Sequence, residues 1–240
     1  MTTRVKEKEQ ENSSVIVTSS DATKMYMSYA ISRHLVRLMV AVYFRGKVYN
    51  SEYVPKTGAV IIASNHVGYL DPFFVGAAVN RRICYLCRES AFKWPIIGTL
   101  LKHWNAVPVD RDGRSPRGLK AVLDRLKTGE AVMLFPEGTR TYDGNLQRAK
   151  PGIGLLVAQT DAPVVPVRVF GMWEAFNRFM RFPRPIPVNV VFGKPISFDD
   201  KRKEIQSAPP ERAKQIYQEI ADEIIEAISK IQNKKDQEEL

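Results

Sequence analysis

The sequence predicts an α/β domain with a largely parallel central sheet flanked by helices. Its 240 residues are enough for one domain with a sizeable hydrophobic core. Segments with helix start signals separate short apolar runs, and strands that alternate with helices favour a parallel sheet. These apolar runs are typical of buried strands, and they occupy residues 59–63, 83–87, 107–109, 131–135 and 164–170.

The first run leads into a helix. Residues 59–63 (AVIIA) follow Gly58 and end in polar sequence, as expected for a strand covered on both faces. Asp71 and Pro72 then precede the apolar sequence FFVGAAV. An aspartate at the N-cap and a proline at the first helical position are a helix start signal. We therefore expect a helix from Pro72 to about residue 80.

The second run contains both cysteines of the chain, in the sequence CYLC. A structural zinc site needs four ligands, and the sequence has no second pair of cysteines to complete one. Alternation along a strand also puts Cys84 and Cys87 on opposite faces. The pattern predicts two buried, reduced thiols.

Proline and glycine set the remaining boundaries. Ser115-Pro116 begins a helix that Thr128-Gly129 ends, and Lys150-Pro151-Gly152 opens a helix between the last two strands. Apolar residues near the C-terminus recur at helical spacing, which predicts a helix within residues 199–240 packed on the domain. They are Ala213, Ile216, Tyr217, Ile220, Ile224, Ala227, Ile228 and Ile231.

The N-terminal part divides into two segments. Residues 1–20 are polar and predict a flexible tail that is not a secretory signal. Residues 21–48 are mostly apolar but carry Arg33 and Arg37 in the middle. Each central arginine costs about 2.5–3.5 kcal/mol in a spanning helix. An amphipathic helix lying in the membrane interface is therefore favoured, and a helix packed on the domain's own core is the alternative.

The formal charge of +10 is unevenly distributed. Residues 51–198 carry 20 basic and 11 acidic side chains, whereas residues 199–240 carry 8 and 11. A basic surface suits nucleic acid, anionic lipid or phosphorylated substrates, and charge alone does not choose among them. In residues 176–184 (FNRFMRFPR), three phenylalanines alternate with three arginines. This pattern suits anionic lipid, although an RNA-binding loop has a similar composition.

The connection after the first strand carries a histidine and an aspartate. His66 and Asp71 lie at the two ends of one tight loop, at the edge of the sheet where ligands of open α/β folds collect. A carboxylate that binds one imidazole nitrogen fixes the tautomer and leaves the other nitrogen able to take a proton. The alternative is that Asp71 only caps the helix and His66 is an ordinary loop residue.

A second motif, FPEGTR at residues 135–140, follows another strand. HxxxxD within NHVGYLD, followed in this order by FPEGTR, resembles the glycerolipid acyltransferase family. Within that family the sequence is most similar to the lysophosphatidate (1-acyl-sn-glycerol-3-phosphate) acyltransferases. The run VPVDR with Arg111 and the run APVVPV around Pro166 fit as well. The resemblance implies an acyltransferase catalytic domain over residues 49–198 with a glycerolphosphate-acyltransferase-like fold.

The resemblance also implies roles for individual residues. His66 would be the base, and Asp71 would orient it and stabilise the imidazolium. The residues implied to bind the phosphate or glycerol of the acceptor are Arg111, Glu137, Gly138, Thr139 and Arg140. For Arg111, a surface ion pair with Asp110 or Asp112 is the alternative to binding phosphate.

Three further features of the sequence bear on the chemistry. Glu137 would either bind a glycerol hydroxyl or hold Arg140 in place, whereas planar guanidinium groups suit phosphate. Arg88 stands where the family commonly has lysine, and it is a possible contact to the thioester or the phosphate. The sequence contains neither a GxSxG elbow nor a GxxxxGK loop, which weakens serine-hydrolase and nucleotide-hydrolase interpretations.

These expectations define the predicted function. An acyl chain passes from an acyl-CoA or acyl carrier protein thioester, a co-substrate, to lysophosphatidate, with no metal or other cofactor. We expect a monotopic protein on the cytoplasmic face of an anionic membrane, and no nucleic-acid partner. Glycerol-3-phosphate, another lysophospholipid or an amino-lipid remains an alternative acceptor. A non-catalytic lipid- or RNA-binding domain is the alternative from a different class.

Overall fold

The fold is built on one seven-stranded sheet. The computed structural model describes residues 19–109 and 116–233. The strand order is β1-β7-β6-β2-β5-β3-β4. The strands are β1 Val48–Tyr49, β2 Val60–Ser64, β3 Ile83–Arg88, β4 Ala106–Val109, β5 Ala131–Leu134, β6 Val164–Phe170 and β7 Asn189–Phe192.

Nine α-helices of the described residues surround the sheet. They are α1 Ser19–Val42, α2 Asp71–Ala78, α3 Glu89–Phe92, α4 Pro95–His103, α5 Pro116–Lys127, α6 Pro151–Ala158, α7 Met172–Phe176, α8 Asp199–Ser207 and α9 Pro210–Lys230. The predicted C-terminal helix is thus two helices. The break precedes Pro210, which cannot supply a backbone N–H to a continuing helix.

Neighbouring strands pair in parallel throughout the described sheet except for β6 and β7, which are antiparallel. The α/β class and the largely parallel sheet are therefore confirmed. All five predicted strands are present. Two strands were missed: β1 has only two residues, and β7 has four.

The core forms two layers, one on each face of the sheet. On one face, α9 packs against α6 and β6 and buries isoleucines four residues apart, Ile216, Ile220, Ile224 and Ile228. On the other face, α1, α2 and α4 cover a cluster that contains Phe74, Tyr85 and Trp104. The continuous burial of β2 and β5 follows from this double cover.

Helix α1 packs on the domain in an unexpected orientation. The guanidinium groups of Arg33 and Arg37 point inward and donate hydrogen bonds to the carbonyl oxygens of Val79 (3.0 Å) and Ala77 (2.6 Å). These carbonyls lie at the end of α2, where helix carbonyls lack partners in their own helix. These two half-buried arginines therefore cap a neighbouring helix.

The outer face of α1 is apolar. Its exposed residues recur at helical spacing and form the α1 ridge, which consists of Met27, Ile31, Leu35, Leu38 and Val42, each 57–69 % exposed. No helix in the described part of the chain is both long and apolar enough to cross a bilayer. The predicted tail lies almost wholly outside the described residues.

Candidate active site

Three adjacent parallel strands, β2, β5 and β3, carry predicted site residues at their carboxyl ends. His66 follows β2, the FPEGTR motif follows β5, and Arg88 is the last residue of β3. Arg111 follows β4 in the sequence and belongs to residues 110–115, which lie outside the described part of the chain. The topology therefore brings the predicted motifs to one edge of the sheet, as expected for an open α/β fold.

His66 and Asp71 form a direct pair. Nδ1 of His66 lies 2.9 Å from Oδ2 of Asp71, and the aspartate side chain is fully buried. The same oxygen accepts the N–H groups of Val67 (2.7 Å) and Gly68 (2.8 Å). An ionised carboxylate only accepts hydrogen bonds, so Nδ1 carries the proton. Nε2 makes no hydrogen bond to a described residue, and its lone pair is available to a base reaction.

The position of Asp71 differs from the expectation. The sequence indicated an N-cap, but Asp71 is the first residue of α2, and Leu70 occupies the cap position. Its carboxylate does not cap the helix and instead closes the loop that carries His66. A helix start signal and the pairing with His66 share the same residue, which is why the sequence alone left both roles open.

Phe135 fixes the plane of the imidazole. Its ring stacks on His66 with 3.8 Å between the ring centroids and 15° between the planes. The imidazole is therefore constrained by Asp71 along one edge and by Phe135 across one face. The side chain of His66 retains 18 % exposure, so an acceptor hydroxyl can approach Nε2. The sequence showed Phe135 only as part of a motif and did not predict this contact.

Glu137 links the two motif-bearing loops. One carboxylate oxygen accepts the backbone N–H of His66 (2.8 Å) and the other accepts that of Gln147 (2.9 Å). The side chain is only 2 % exposed. Burial raises the pKa of this carboxyl, and the two N–H groups oppose that rise. Glu137 therefore supports the backbone of His66, a contact that the sequence did not predict, and it makes no ion pair with Arg140 among the described residues. Its predicted contact to a glycerol hydroxyl stays a prediction.

Two more residues fix the backbone around His66. The side chain of Asn65 is buried and makes paired hydrogen bonds to the N–H (2.8 Å) and C=O (3.1 Å) of Val169 on β6. The backbone N–H of Thr141 donates to the carbonyl oxygen of His66 (2.9 Å). Sequence analysis did not select Asn65, and its position directly before His66 was the only local signal.

Arg140 is held by an aromatic ring. Its Cζ lies 3.7 Å from the centroid of Tyr69, within the range of a cation–π contact. Its Nη1 is buried and has no hydrogen-bond partner among the described residues. A guanidinium with an unused buried donor is suited to receive an anion, because burial strengthens a charged hydrogen bond.

The remaining motif residues present backbone and charge to solvent. Gly138 has a φ of +68°, which favours glycine, and an ideal Cβ there would lie 3.0 Å from Nζ of Lys150. The Lys150 ammonium therefore lies over the same loop as Arg140, although sequence analysis treated Lys150 only as part of a helix start. Thr139 and Arg88 are exposed. No group of three histidine, cysteine, aspartate or glutamate side chains in the described ranges is placed to bind a metal.

Comparison with known proteins identifies the family. The acyltransferase family profile matches residues 45–170. The chain is 35 % identical over 137 residues to 1-acyl-sn-glycerol-3-phosphate acyltransferase of Bacillus subtilis, covering 56 % of this chain and 68 % of that protein. It is 29 % identical over 157 residues to the Limnanthes douglasii protein of the same name, covering 64 % and 55 % of the two chains.

Two further comparisons bear on acceptor and fold. Lyso-ornithine lipid O-acyltransferase of Rhodobacter capsulatus is 32 % identical over 113 residues, covering 47 % of this chain and 40 % of that one. The crystal structure of the 1-acyl-sn-glycerophosphate acyltransferase PlsC from Thermotoga maritima superposes with a TM-score of 0.68 at 20 % identity, covering 90 % and 86 % of the two chains. The superposition shows the same fold, and the matched profile and relatives show that this chain belongs to the acyltransferase family of enzymes.

Proposed function

We propose that this chain transfers an acyl group from an acyl thioester to the free hydroxyl of lysophosphatidate, which gives phosphatidate. The observation that carries the proposal is the His66–Asp71 pair, with Nδ1 bound to a buried carboxylate and Nε2 available at a partly exposed ring. A binding module has no use for a base oriented by two separate constraints. The similarity to proteins named 1-acyl-sn-glycerol-3-phosphate acyltransferase supports the acceptor.

The reaction is a direct transfer. Nε2 of His66 takes the proton of the acceptor hydroxyl as the oxygen attacks the thioester carbonyl carbon. The new carbon–oxygen bond forms as the carbonyl π pair moves to oxygen, and collapse of this intermediate breaks the carbon–sulfur bond. The imidazolium returns its proton to the departing thiolate. Asp71 stabilises the imidazolium while it exists and holds its tautomer.

The phosphate of the acceptor would bind beside the FPEGTR loop. Arg140 offers a buried donor without a partner, and Lys150 lies over Gly138 of the same loop. The family resemblance adds Arg111 to this set, with Thr139 as a possible hydroxyl contact and Arg88 as a possible contact to the thioester. Two cations on one loop favour a phosphorylated acceptor over a lyso-ornithine lipid, which lacks the phosphate.

Membrane association would place the enzyme at its lipid substrate. The α1 ridge presents five apolar residues at helical spacing. Arg33 and Arg37 of the same helix are bound to carbonyl groups at the end of α2. An exposed apolar stripe of this kind suits insertion into one leaflet of an anionic membrane. Acyl thioesters of coenzyme A and carrier protein are cytoplasmic metabolites, which supports a monotopic protein on the cytoplasmic face.

An acceptor panel tests the proposal. Thioester consumption is measured with lysophosphatidate, glycerol-3-phosphate, lysophosphatidylcholine and lyso-ornithine lipid, each with acyl-CoA and with acyl carrier protein as donor. We expect the largest kcat/KM for lysophosphatidate. Arg140→Ala should raise KM about tenfold or more for phosphorylated acceptors, because a charged hydrogen bond contributes roughly 1.5–3 kcal/mol. A preference for lyso-ornithine lipid, or equal damage to both acceptor types, would contradict the assignment.

A further inference from the structure

The segment that follows α7 exposes large aromatic residues although it is well fixed to the domain. Phe179 and Phe182 are 67 % and 72 % exposed, and Arg181 and Arg184 beside them are exposed as well. We name these four residues the aromatic tip. The N–H of Arg184 donates to the carbonyl of Ala175 (2.8 Å). The tip is therefore a shaped surface, held by the end of α7.

The tip is continuous with the exposed face of α1. The hydroxyl of Tyr43 donates to the carbonyl oxygen of Pro183 (2.9 Å), and Arg45 donates to that of Pro185 (3.0 Å). Both donors lie directly after Val42, the last residue of the α1 ridge. Apolar ridge and aromatic tip thus adjoin each other. Exposed phenylalanines beside exposed arginines match a membrane interface with anionic headgroups better than the surface of a soluble monomer.

The inner side of the same segment touches the candidate active site. The sequence pattern placed Arg178 with the arginines that suit anionic lipid, but its half-buried guanidinium contacts the loop that follows β5. Nη1 of Arg178 donates to the backbone carbonyl oxygen of Arg140 (3.1 Å), and its Cζ lies 3.6 Å from the ring centroid of Tyr142. Trp173 of α7 packs edge-on against Phe179 at 6.2 Å between centroids. One arginine therefore joins the start of the tip to the FPEGTR loop.

The other active-site loop packs on the same segment. An ideal Cβ at Gly68 would lie 2.6 Å from the carbonyl oxygen of Phe176, so only glycine permits this approach. Tyr69 lies 5.5 Å from Phe176 between ring centroids and also supports the Arg140 guanidinium. Arg140 is thus held at its side chain by Tyr69 and at its backbone by Arg178.

We infer that Arg178 is a positioning residue that couples lipid contact at the aromatic tip to the phosphate-binding arginine, Arg140. The occupant of the tip is the anionic surface of a membrane. Lipid contact holds the tip and keeps Arg178 on the carbonyl of Arg140 and the ring of Tyr142, which sets the guanidinium of Arg140 for the acceptor phosphate. The inference rests on the proposed function and concerns acceptor affinity, whereas the proton transfer at His66 is untouched.

Kinetics on a soluble acceptor test the positioning. With a short-chain lysophosphatidate below its micellar concentration, Arg178→Gln should raise KM about tenfold with little change in kcat, because the disturbed group binds phosphate. Arg178→Lys keeps a donor but loses the planar stack, and it should recover part of the KM. Arg148→Gln is the matched control, since Arg148 is a more exposed arginine of the same region. Its KM should equal that of wild type.

Vesicles test the coupling. Phosphatidylglycerol vesicles containing the long-chain acceptor should lower the KM of wild type, and Arg178→Gln should lose most of that gain while still binding the vesicles. Phe179→Ser with Phe182→Ser should weaken vesicle binding several-fold. The inference is overturned if Arg178→Gln leaves KM unchanged, if kcat falls equally for acceptors with and without phosphate, or if the tip binds RNA and ignores vesicles.

Folding and function are separated by two readouts. Thermal melts of every variant should match wild type, and Arg178→Lys remains informative if Arg178→Gln does not fold. Turnover of lysophosphatidate by wild type tests the proposed function by itself. If wild type prefers another phosphorylated acceptor, vesicle binding by the tip variants and the ratio of KM between Arg178→Gln and Arg148→Gln for that acceptor still decide the inference. A preference for an acceptor without phosphate overturns it.

Discussion

Glu137 provides a sharp test because the structure shows it in a contact that its motif did not imply. Its two carboxylate oxygens accept the N–H groups of His66 and Gln147 at 2.8 and 2.9 Å, and the side chain is buried. Replacing it with alanine leaves two partly buried backbone N–H groups without this acceptor. Each such donor costs about 1–3 kcal/mol, so Glu137→Ala should lower the free energy of unfolding by roughly 2–6 kcal/mol.

Glu137→Gln separates charge from hydrogen bonding. Glutamine retains one acceptor oxygen, so the expected loss at neutral pH is about 1–3 kcal/mol, that of a single unsatisfied donor. Burial raises the pKa of the Glu137 carboxyl above its ordinary 4.5. The native state therefore holds this proton to higher pH than the unfolded state, and the stability of wild type falls as pH rises above 4.5. The difference in free energy of unfolding between wild type and Glu137→Gln should therefore decrease as pH rises above 4.5.

The assay is urea unfolding of wild type and both variants at several pH values, with kcat and KM measured in parallel. If Glu137 supports the backbone of His66, Glu137→Ala should lower both the free energy of unfolding and kcat, since His66 loses its backbone anchor. If Glu137 instead binds glycerol, Glu137→Ala should raise KM and leave the free energy of unfolding unchanged. Wild-type stability in Glu137→Ala together with a raised KM would refute the reasoning and restore the role implied by the motif.

Three further predictions follow from the geometry. Phe135→Leu removes the ring stacked on His66 and should lower kcat roughly 2- to 10-fold, because an aromatic pair contributes about 0.5–1.5 kcal/mol. KM should stay nearly constant in steady-state assays, and an equal rise in KM would argue against an orienting role. Burial raises the pKa of Cys84 from 9.0 to about 11 and also raises that of Cys87. Thiol titration at pH 8 should therefore label both cysteines slowly until the protein unfolds, Cys87 before Cys84, and rapid labelling of folded protein would contradict the burial. The free energy of unfolding should fall as pH rises above 9.0, because the thiols of the unfolded chain lose their protons first. Leu35→Ser with Leu38→Ser should weaken binding to anionic vesicles without lowering the melting temperature, since both side chains are about 60 % exposed; a lowered melting temperature would indicate that they pack on the domain.

The sequence predicted the parts of the fold in which local pattern and tertiary environment agree. Strands β2 and β6 are apolar except for Ser64 and Arg168 because both faces of the sheet are covered, and their bounds were predicted to within a residue. Strands β1 and β7 were missed because two to four residues carry too little pattern to stand out from a loop. The break between α8 and α9 was marked by proline, but helical spacing on the far side concealed it.

Helix α1 shows a different limit. Its spacing revealed a basic stripe and an apolar surface, and the usual expectation puts charge outward. The structure turns Arg33 and Arg37 inward because the end of α2 presents carbonyl groups that need donors. The periodicity of one helix does not show which carbonyl groups of a neighbouring helix lack donors, so the orientation of the two arginines could be read only from the complete fold.

The candidate site divides in the same way. His66, Asp71 and Arg140 were identified from their motifs, and the structure adds how each is held. The support of His66 by Phe135 and the position of Lys150 over Gly138 depend on contacts between loops distant in sequence. Such contacts leave no local pattern, so the sequence could suggest candidate reacting groups but not the residues that position them.

The most direct test of the central claim is kcat/KM for lysophosphatidate in wild type, His66→Ala and His103→Ala. His103 is the matched control, because it is partly exposed and lies at the end of α4 just before β4, on the side where the strands begin and away from His66. General-base catalysis contributes about 10²–10⁴-fold, so folded His66→Ala should lose at least two orders of magnitude while His103→Ala keeps wild-type turnover. A His66→Ala protein that melts like wild type and turns over at a near-normal rate would contradict the account.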